Sequence, residues 1–304
     1  MSNEKLLRQI VVLKKKRRAL ILAHNYQRPE IQDIADFTGD SLELSIVASR
    51  AENPVIVFCG VKFMAETAAV LCPGKKVLLP VKDAGCALAD MATAEALRKL
   101  KKKHPRAQTV AYVNTSAEVK AESDICCTSA NAVKIVASLD PKRPVIFVSD
   151  RNLGAYAARK LRRKLILWDG FCPTHTLLVP ADVRRAVKKH PGAKVMAHPE
   201  CRFDVLESAD YVGGTAGMLK YVKGDSGGRS YLVATEAGMI HRLKKENPGK
   251  NFYPVSDDLI CPMMKLITLE DVRNALSGFQ FRVTVNPSVR KKARRAITKM
   301  LSVR

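Results

Sequence analysis

Cys86, Cys172 and Cys261 stand 86 and 89 residues apart in a chain of 304 residues. They close the segments Ala84-Gly85-Cys86, Gly170-Phe171-Cys172 and Leu259-Ile260-Cys261. A lone cysteine is usually a small buried apolar residue, and Cys59, Cys72, Cys126 and Cys127, which do not recur, read that way. Three recurring thiols suit zinc or an iron–sulfur cluster. Structural zinc takes closely spaced Cys pairs and a fourth ligand, which this pattern does not offer. A [4Fe–4S] cube on three cysteines leaves one iron open, able to act as a Lewis acid.

Three polar triplets keep the same step. His24-Asn25-Tyr26, Tyr112-Val113-Asn114 and His198-Pro199-Glu200 begin 88 and 86 residues apart. Each is followed 17 residues later by a hydroxyl: Ser41, Ser129 and Thr215. The triplets supply acid–base groups, with Glu200 the general base, Tyr112 and Asn114 orienting hydrogen bonders, and His175 a weaker candidate. Each hydroxyl reads as a helix N-cap. Helix N-termini attract carboxylate or phosphate, so three of them aimed at one cavity imply substrates with several anionic groups. Asp40, directly before Ser41, opposes that unless it turns away.

The elements that position these residues alternate between β-rich runs and amphipathic stretches, the pattern of parallel α/β units. The predicted strands are Ala19 to Ala23, Pro54 to Phe58, Val77 to Leu79, Gln108 to Val113, Val145 to Val148, Leu165 to Trp168, Ala193 to Ala197, Tyr231 to Ala234 and Asn251 to Tyr253. Landmarks of several kinds at one shared period mark an internal repeat. The expected fold is α/β: three homologous small three-layer domains with parallel sheets around a pseudo-threefold axis, with a central active site. The expected units are 1–91, 92–178 and 179–265, with a C-terminal helical segment 266–304 packing on the first. In open α/β sheets ligands bind beyond the carboxyl ends of the strands. The triplets follow strands directly, so three equivalent units would bring triplets, hydroxyls and cysteines to one cavity.

Hydrophobic residues make up 47% and charged residues 27%, ordinary soluble usage that excludes disorder and collagen-like repeats. No run of eighteen uncharged apolar residues occurs, so no transmembrane helix is expected. The order of charge and apolar residues near the N-terminus is wrong for a signal peptide, and a cytoplasmic location is expected. Lys and Arg total 52 against 29 Asp and Glu, a net charge of +23. The basic clusters, such as Lys14 to Arg18 and Lys101 to Lys103, fall mostly at predicted helix ends without interleaved aromatics. They read as a solvated surface, with no nucleic-acid partner and no membrane partner, that can draw in anionic substrates.

The motifs resemble the A-type quinolinate synthases of NAD biosynthesis over nearly the whole chain. The resemblance rests on Ala23-His24-Asn25-Tyr26-Gln27, Glu30-Ile31-Gln32-Asp33, Gly39-Asp40-Ser41-Leu42, Phe63-Met64-Ala65-Glu66-Thr67, Tyr112-Val113-Asn114, Thr128-Ser129-Ala130-Asn131, His198-Pro199-Glu200-Cys201, Ala234-Thr235-Glu236 and Cys261-Pro262-Met263-Met264-Lys265. It implies condensation of iminoaspartate with dihydroxyacetone phosphate to quinolinate, phosphate and water, and a functional link to the enzyme supplying iminoaspartate. It implies one [4Fe–4S] cluster on Cys86, Cys172 and Cys261 with an open iron site. By motif position, His24, Ser41, Tyr112, Asn114, Ser129, His198, Glu200 and Thr215 would bind substrate, and Tyr26, Glu200 and His198 would be catalytic. The segment Gly213-Gly214-Thr215-Ala216 departs from the family pattern, which often has a hydroxyl on either side of the threonine. Competing readings are a [4Fe–4S] hydro-lyase acting on a small hydroxy-dicarboxylate, a basic nucleic-acid-binding protein and an electron-transfer protein.

Overall fold

The computed structural model describes residues 3–303. The chain runs through the same order of elements three times. First come α1 (Asn3–Arg17), β1 (Ala19–His24), α2 (Pro29–Ile34), β2 (Phe37–Gly39), α3 (Ser41–Arg50), β3 (Val55–Cys59), α4 (Lys62–Leu71), β4 (Lys76–Leu78) and α5 (Ala87–Asp90). Next are α6 (Ala94–Lys103), β5 (Gln108–Tyr112), α7 (Ala117–Ala121), β6 (Ile125–Cys127), α8 (Ala132–Ala137), β7 (Val145–Val148), α9 (Arg151–Lys160), β8 (Ile166–Leu167) and α10 (Pro173–Thr176). The third pass holds α11 (Pro180–Lys189), β9 (Lys194–Ala197), α12 (Phe203–Leu206), β10 (Tyr211–Val212), α13 (Thr215–Gly224), β11 (Ser230–Ala234), α14 (Met239–Glu246), β12 (Asn251–Pro254) and a 3₁₀ turn at Pro262–Lys265. Two helices follow, α15 (Leu269–Gly278) and α16 (Pro287–Ser302).

Each pass builds one four-stranded parallel sheet, and the strand order repeats: β2-β1-β3-β4, β6-β5-β7-β8 and β10-β9-β11-β12. The central strands are apolar on both faces because helices cover both. Val55 to Cys59 are buried throughout, as are Val145 to Val148, the run expected of a parallel strand between two helical layers. The register is regular: Leu22 pairs with Phe58, and Leu232 with Val195. In every sheet the chain leaves its first strand toward one side and returns to place its third strand on the other. That reversal opens a crevice at the carboxyl end of the first strand, where open α/β sheets bind ligands. His24 and Tyr112 end their strands, and His198 directly follows one.

The edge strands β2, β6 and β10 are absent from the β-rich runs of the sequence. They hold three, three and two residues. The last two helices divide their packing. Leu269, Val272, Ala275 and Leu276 of α15 cluster with Leu6 and Ile10 of α1, in the first unit. Helix α16 lies chiefly against α7 and β6 of the second unit as well as α4 of the first. Its apolar stripe Ala293, Ala296, Ile297 and Met300 is buried. Between the two helices, the backbone of Phe281 and Val283 bonds to Leu79 and Val77, continuing the open edge of the first sheet.

Candidate active site

A cavity of about 180 Å³ lies where the three units meet. His24, Tyr26, Ser41, Tyr112, Asn114, Ser129, His198, Glu200, Thr215, Cys86, Cys172 and Cys261 all line it. Each unit contributes a strand end, a hydroxyl and a thiol.

The thiols share a local geometry. Cys86, Cys172 and Cys261 are the N-cap residues of α5, α10 and the 3₁₀ turn. Backbone N–H groups of Leu88 and Ala89, of His175, and of Met263 and Met264 bear on the respective sulfurs and favour thiolate. Burial outweighs them and pushes Cys86 up to about 12, with Cys172 and Cys261 also raised. A bound cation would draw those protons off, and no disulfide ties up any cysteine among the described residues. The donor set therefore fits a soft metal centre. Cys172, His175 and Glu200 also offer ligand atoms within 4.8 Å of one another, a second grouping able to hold a cation.

Two buried carboxylates set the cysteine loops. Asp150 accepts from Cys172 N–H at 3.0 Å and Leu153 N–H at 2.8 Å. Glu236 accepts from Cys261 N–H at 3.2 Å and Gly238 N–H at 2.7 Å, and pairs with Lys265 at 2.8 Å. Asp150 was not singled out in the sequence and Glu236 only as part of the motif Ala234-Thr235-Glu236, although each follows the third strand of its unit and the two share the 86-residue step. Lys62 occupies that region of the first unit, where its own N–H bonds to Ala84 at 2.7 Å.

Glu200 is the electrostatic centre. Its Oε2 lies 2.9 Å from His175 Nδ1 and 3.4 Å from His198 Nδ1. Burial would raise its carboxyl, but the imidazoles, His175 first, and the Tyr112 hydroxyl hold it low, at about 2. Glu200 Oε1 and Asn114 Oδ1 have no hydrogen-bond partner although both are buried. Buried polar groups are rarely left so, and both atoms belong to residues that line the cavity. His24 and His198 are pushed down to about 3 by burial and are neutral. In each, Nδ1 accepts the N–H two residues on, Tyr26 at 3.2 Å and Glu200 at 3.3 Å, which leaves the proton on Nε2.

A chain of hydrogen bonds leaves Glu200. Its ionised carboxylate only accepts, so His175 Nδ1 donates to it. His175 Nε2 lies 2.8 Å from Thr235 Oγ1, which lies 2.6 Å from the Tyr26 hydroxyl. Tyr26, Thr235, His175 and Glu200 are thus joined in one line of contacts. Burial raises the Tyr26 phenol, so it is protonated and ready to donate. His175 thus touches Glu200 directly, and Thr235, whose counterpart 86 residues earlier is Ser149, completes the link.

The hydroxyls are not N-caps. Asp40 caps α3, accepting from Leu42 and Glu43 N–H at 2.9 Å each, and Ser41 is the first helical residue. Asn131 precedes α8, two residues after Ser129, and Gly214 precedes α13, whose first residue is Thr215. A capping oxygen must reach the N–H two or three residues on, whereas these three hydroxyls belong to the cavity wall. Asp40 already satisfies the start of α3. The start of α13, capped by a glycine without a side chain, keeps its N–H groups open. A Cβ on Gly214 would lie 2.8 Å from Ser129 Oγ, so the missing hydroxyl at this position makes room for the one from the neighbouring unit.

Residues 8–302 match the protein family described as quinolinate synthetase A protein. The chain is 55% identical over 295 residues to a quinolinate synthase of Methanoregula boonei, covering 97% of each. It is 52% identical over 301 residues to that of Desulforudis audaxviator, covering 99% of each. It is likewise 52% identical over 303 residues to that of a Geobacter species, covering 100% of this chain and 99% of the relative.

Proposed function

Since the chain belongs to the quinolinate synthetase A family, we propose that it condenses iminoaspartate with dihydroxyacetone phosphate to give quinolinate, inorganic phosphate and two waters. It is an enzyme of NAD biosynthesis, of the transferase class. The observation that carries the proposal is the joining, in one cavity, of a thiol from each unit with an ionised carboxylate wired to a tyrosine. Cys86, Cys172 and Cys261 would hold a [4Fe–4S] cluster. When bound, it supplies an open iron site, a Lewis acid suited to assisting loss of hydroxide.

The remaining chemistry falls to the chain's own residues. Ring closure with dehydration requires protons to be taken from carbon and delivered to departing oxygen. Glu200, ionised and with Oε1 free toward the cavity, takes protons as a general base. Tyr26 presents its hydroxyl at the end of the line of contacts through Thr235 and His175 that ties it to Glu200. His24 and His198, neutral with Nε2–H available, donate hydrogen bonds without carrying charge. Tyr112 and Asn114 orient the substrate. Ser41, Ser129, Thr215 and the open N–H groups of α13 suit the carboxylates and the phosphate. The three sequence-defined units, 1–91, 92–178 and 179–265, each supply one thiol and one hydroxyl to the cavity.

The test is quinolinate formation by anaerobically purified, iron- and sulfide-reconstituted protein. Product that requires both iminoaspartate and dihydroxyacetone phosphate supports the proposal. Dehydration of a hydroxy-dicarboxylate with no need for the triose phosphate would replace it with a hydro-lyase.

A further inference from the structure

Asn25 lies just behind the cavity wall and is fully buried. Arg242, from α14 of the third unit, donates to Asn25 Oδ1 at 2.7 Å. The guanidinium is itself held by Glu246 at 2.6 Å and lies 3.8 Å from Glu43 Oε2 of the first unit. On its other side Asn25 Nδ2 lies 2.7 Å from Thr215 Oγ1. A guanidinium can only donate, so the amide cannot turn over: its oxygen must face Arg242 and its NH₂ must face Thr215. Thr215 Oγ1 therefore accepts, and its own O–H is left to donate. Thr215 is the first residue of α13, so no carbonyl four residues back in its helix can take that proton, and among the described residues nothing accepts it. The neighbouring positions Gly213, Gly214 and Ala216 carry no hydroxyl, so this O–H is the only side-chain donor of its loop.

We infer that Arg242 and Asn25 are positioning residues that commit the Thr215 hydroxyl to donate into the cavity, onto an anionic oxygen of the bound substrate. The inference rests on the proposed function for the substrate's identity; the anionic oxygen belongs to a carboxylate or to a phosphate. The donor direction is set from outside the site, by a residue of the third unit acting through one of the first on a hydroxyl of the third.

The test is Asn25→Asp, which keeps the shape and gives Arg242 an ion-pair partner but replaces the NH₂ with an acceptor. Thr215 must then donate backward and turn a lone pair to the cavity. Binding of quinolinate and of inorganic phosphate to the anaerobic holoenzyme is measured by calorimetry. The expected result is a 10- to 100-fold loss of affinity for one of the two anions, which identifies the group served, with an unfolding temperature no lower than the parent. Thr215→Val should lose as much for the same anion. In the Thr215→Val background, adding Asn25→Asp should cost less than threefold, since the hydroxyl it reverses is gone. An equal loss in both backgrounds would mean that the new charge acts alone and would overturn the inference. So would affinities within twofold of the parent for both anions, or no binding of either by the parent chain. Failure of the parent to make quinolinate would sink the proposed reaction instead, while the anion titrations would still read the hydroxyl.

Discussion

Glu200 has two oxygens with opposite fates: Oε2 accepts from His175 and Oε1 is buried without a partner. That division argues that replacing the charge while keeping the shape will separate chemistry from folding. Glu200→Gln should leave the iron content and unfolding temperature close to the parent and lower kcat about 10²- to 10⁴-fold; steady-state quinolinate assays and iron analysis check both. Cys172→Ala should abolish iron retention, whereas Cys126→Ala, fully buried inside the second unit, should retain it, as iron and sulfide analysis would show. Retention of the full iron content by Cys172→Ala would remove it from the ligand set. At this scale the sequence was legible where a residue recurs. The cysteines, triplets and hydroxyls declare themselves by their shared step. Asp150 and Glu236 recur as well, but a step of 86 residues between two carboxylates is weak evidence without the loops they brace. Thr235 recurs with them as Ser149, but it acquires meaning only through Tyr26 and His175, which lie far from it in sequence.

Nine strands could be read from β-rich runs, the six central ones being apolar on both faces. The three that could not, β2, β6 and β10, are edge strands whose pairing with the first strand of each sheet, rather than composition, makes them strands. The hydroxyls failed as caps for a similarly local reason: the residue just before Ser41 is a better cap than Ser41 itself. Asp40 carries a prediction of its own. Burial raises its carboxyl to about 6 from an ordinary value of 3.8. Folding then favours its protonated form, so its contribution to stability is full below about pH 4 and is lost as pH rises through 6. Asp40→Asn keeps an oxygen for the Leu42 and Glu43 N–H groups. It should stabilise the protein above pH 6 by roughly 1–3 kcal/mol and change it little at pH 4. Denaturant unfolding across that range measures the difference, and parallel curves for the two proteins would refute the assignment.

Helix α16 is the feature of the whole molecule that the repeat does not contain. It lies along the second unit and reaches the first, so the two are held by a helix that belongs to neither. Ile297 is fully buried in that contact, and Ile297→Ala should cost about 2–4 kcal/mol, read by denaturant unfolding. A loss below 0.5 kcal/mol would show that α16 contributes little to holding the units together. The charge of the molecule is legible at the same scale. Lys14 to Arg17, Lys101 to Lys103, Lys188-Lys189 and Lys244-Lys245 occupy the last turns of α1, α6, α11 and α14, where the helix dipole favours cations. What the repeat could not reveal was where α16 would settle, because an unrepeated apolar stripe fits any groove of the right width. No sheet borrows a strand from another, and this bears on how the protein is made. Each sheet closes within its own stretch of chain, so the first two can form on the ribosome while the third is still being translated. A centre taking one ligand from each unit must wait for Cys261, and the helix that clamps the first two units emerges later still. On the proposed ligand set, cofactor loading would wait for the third unit, and the nascent protein would carry its first two thiols uncommitted until then.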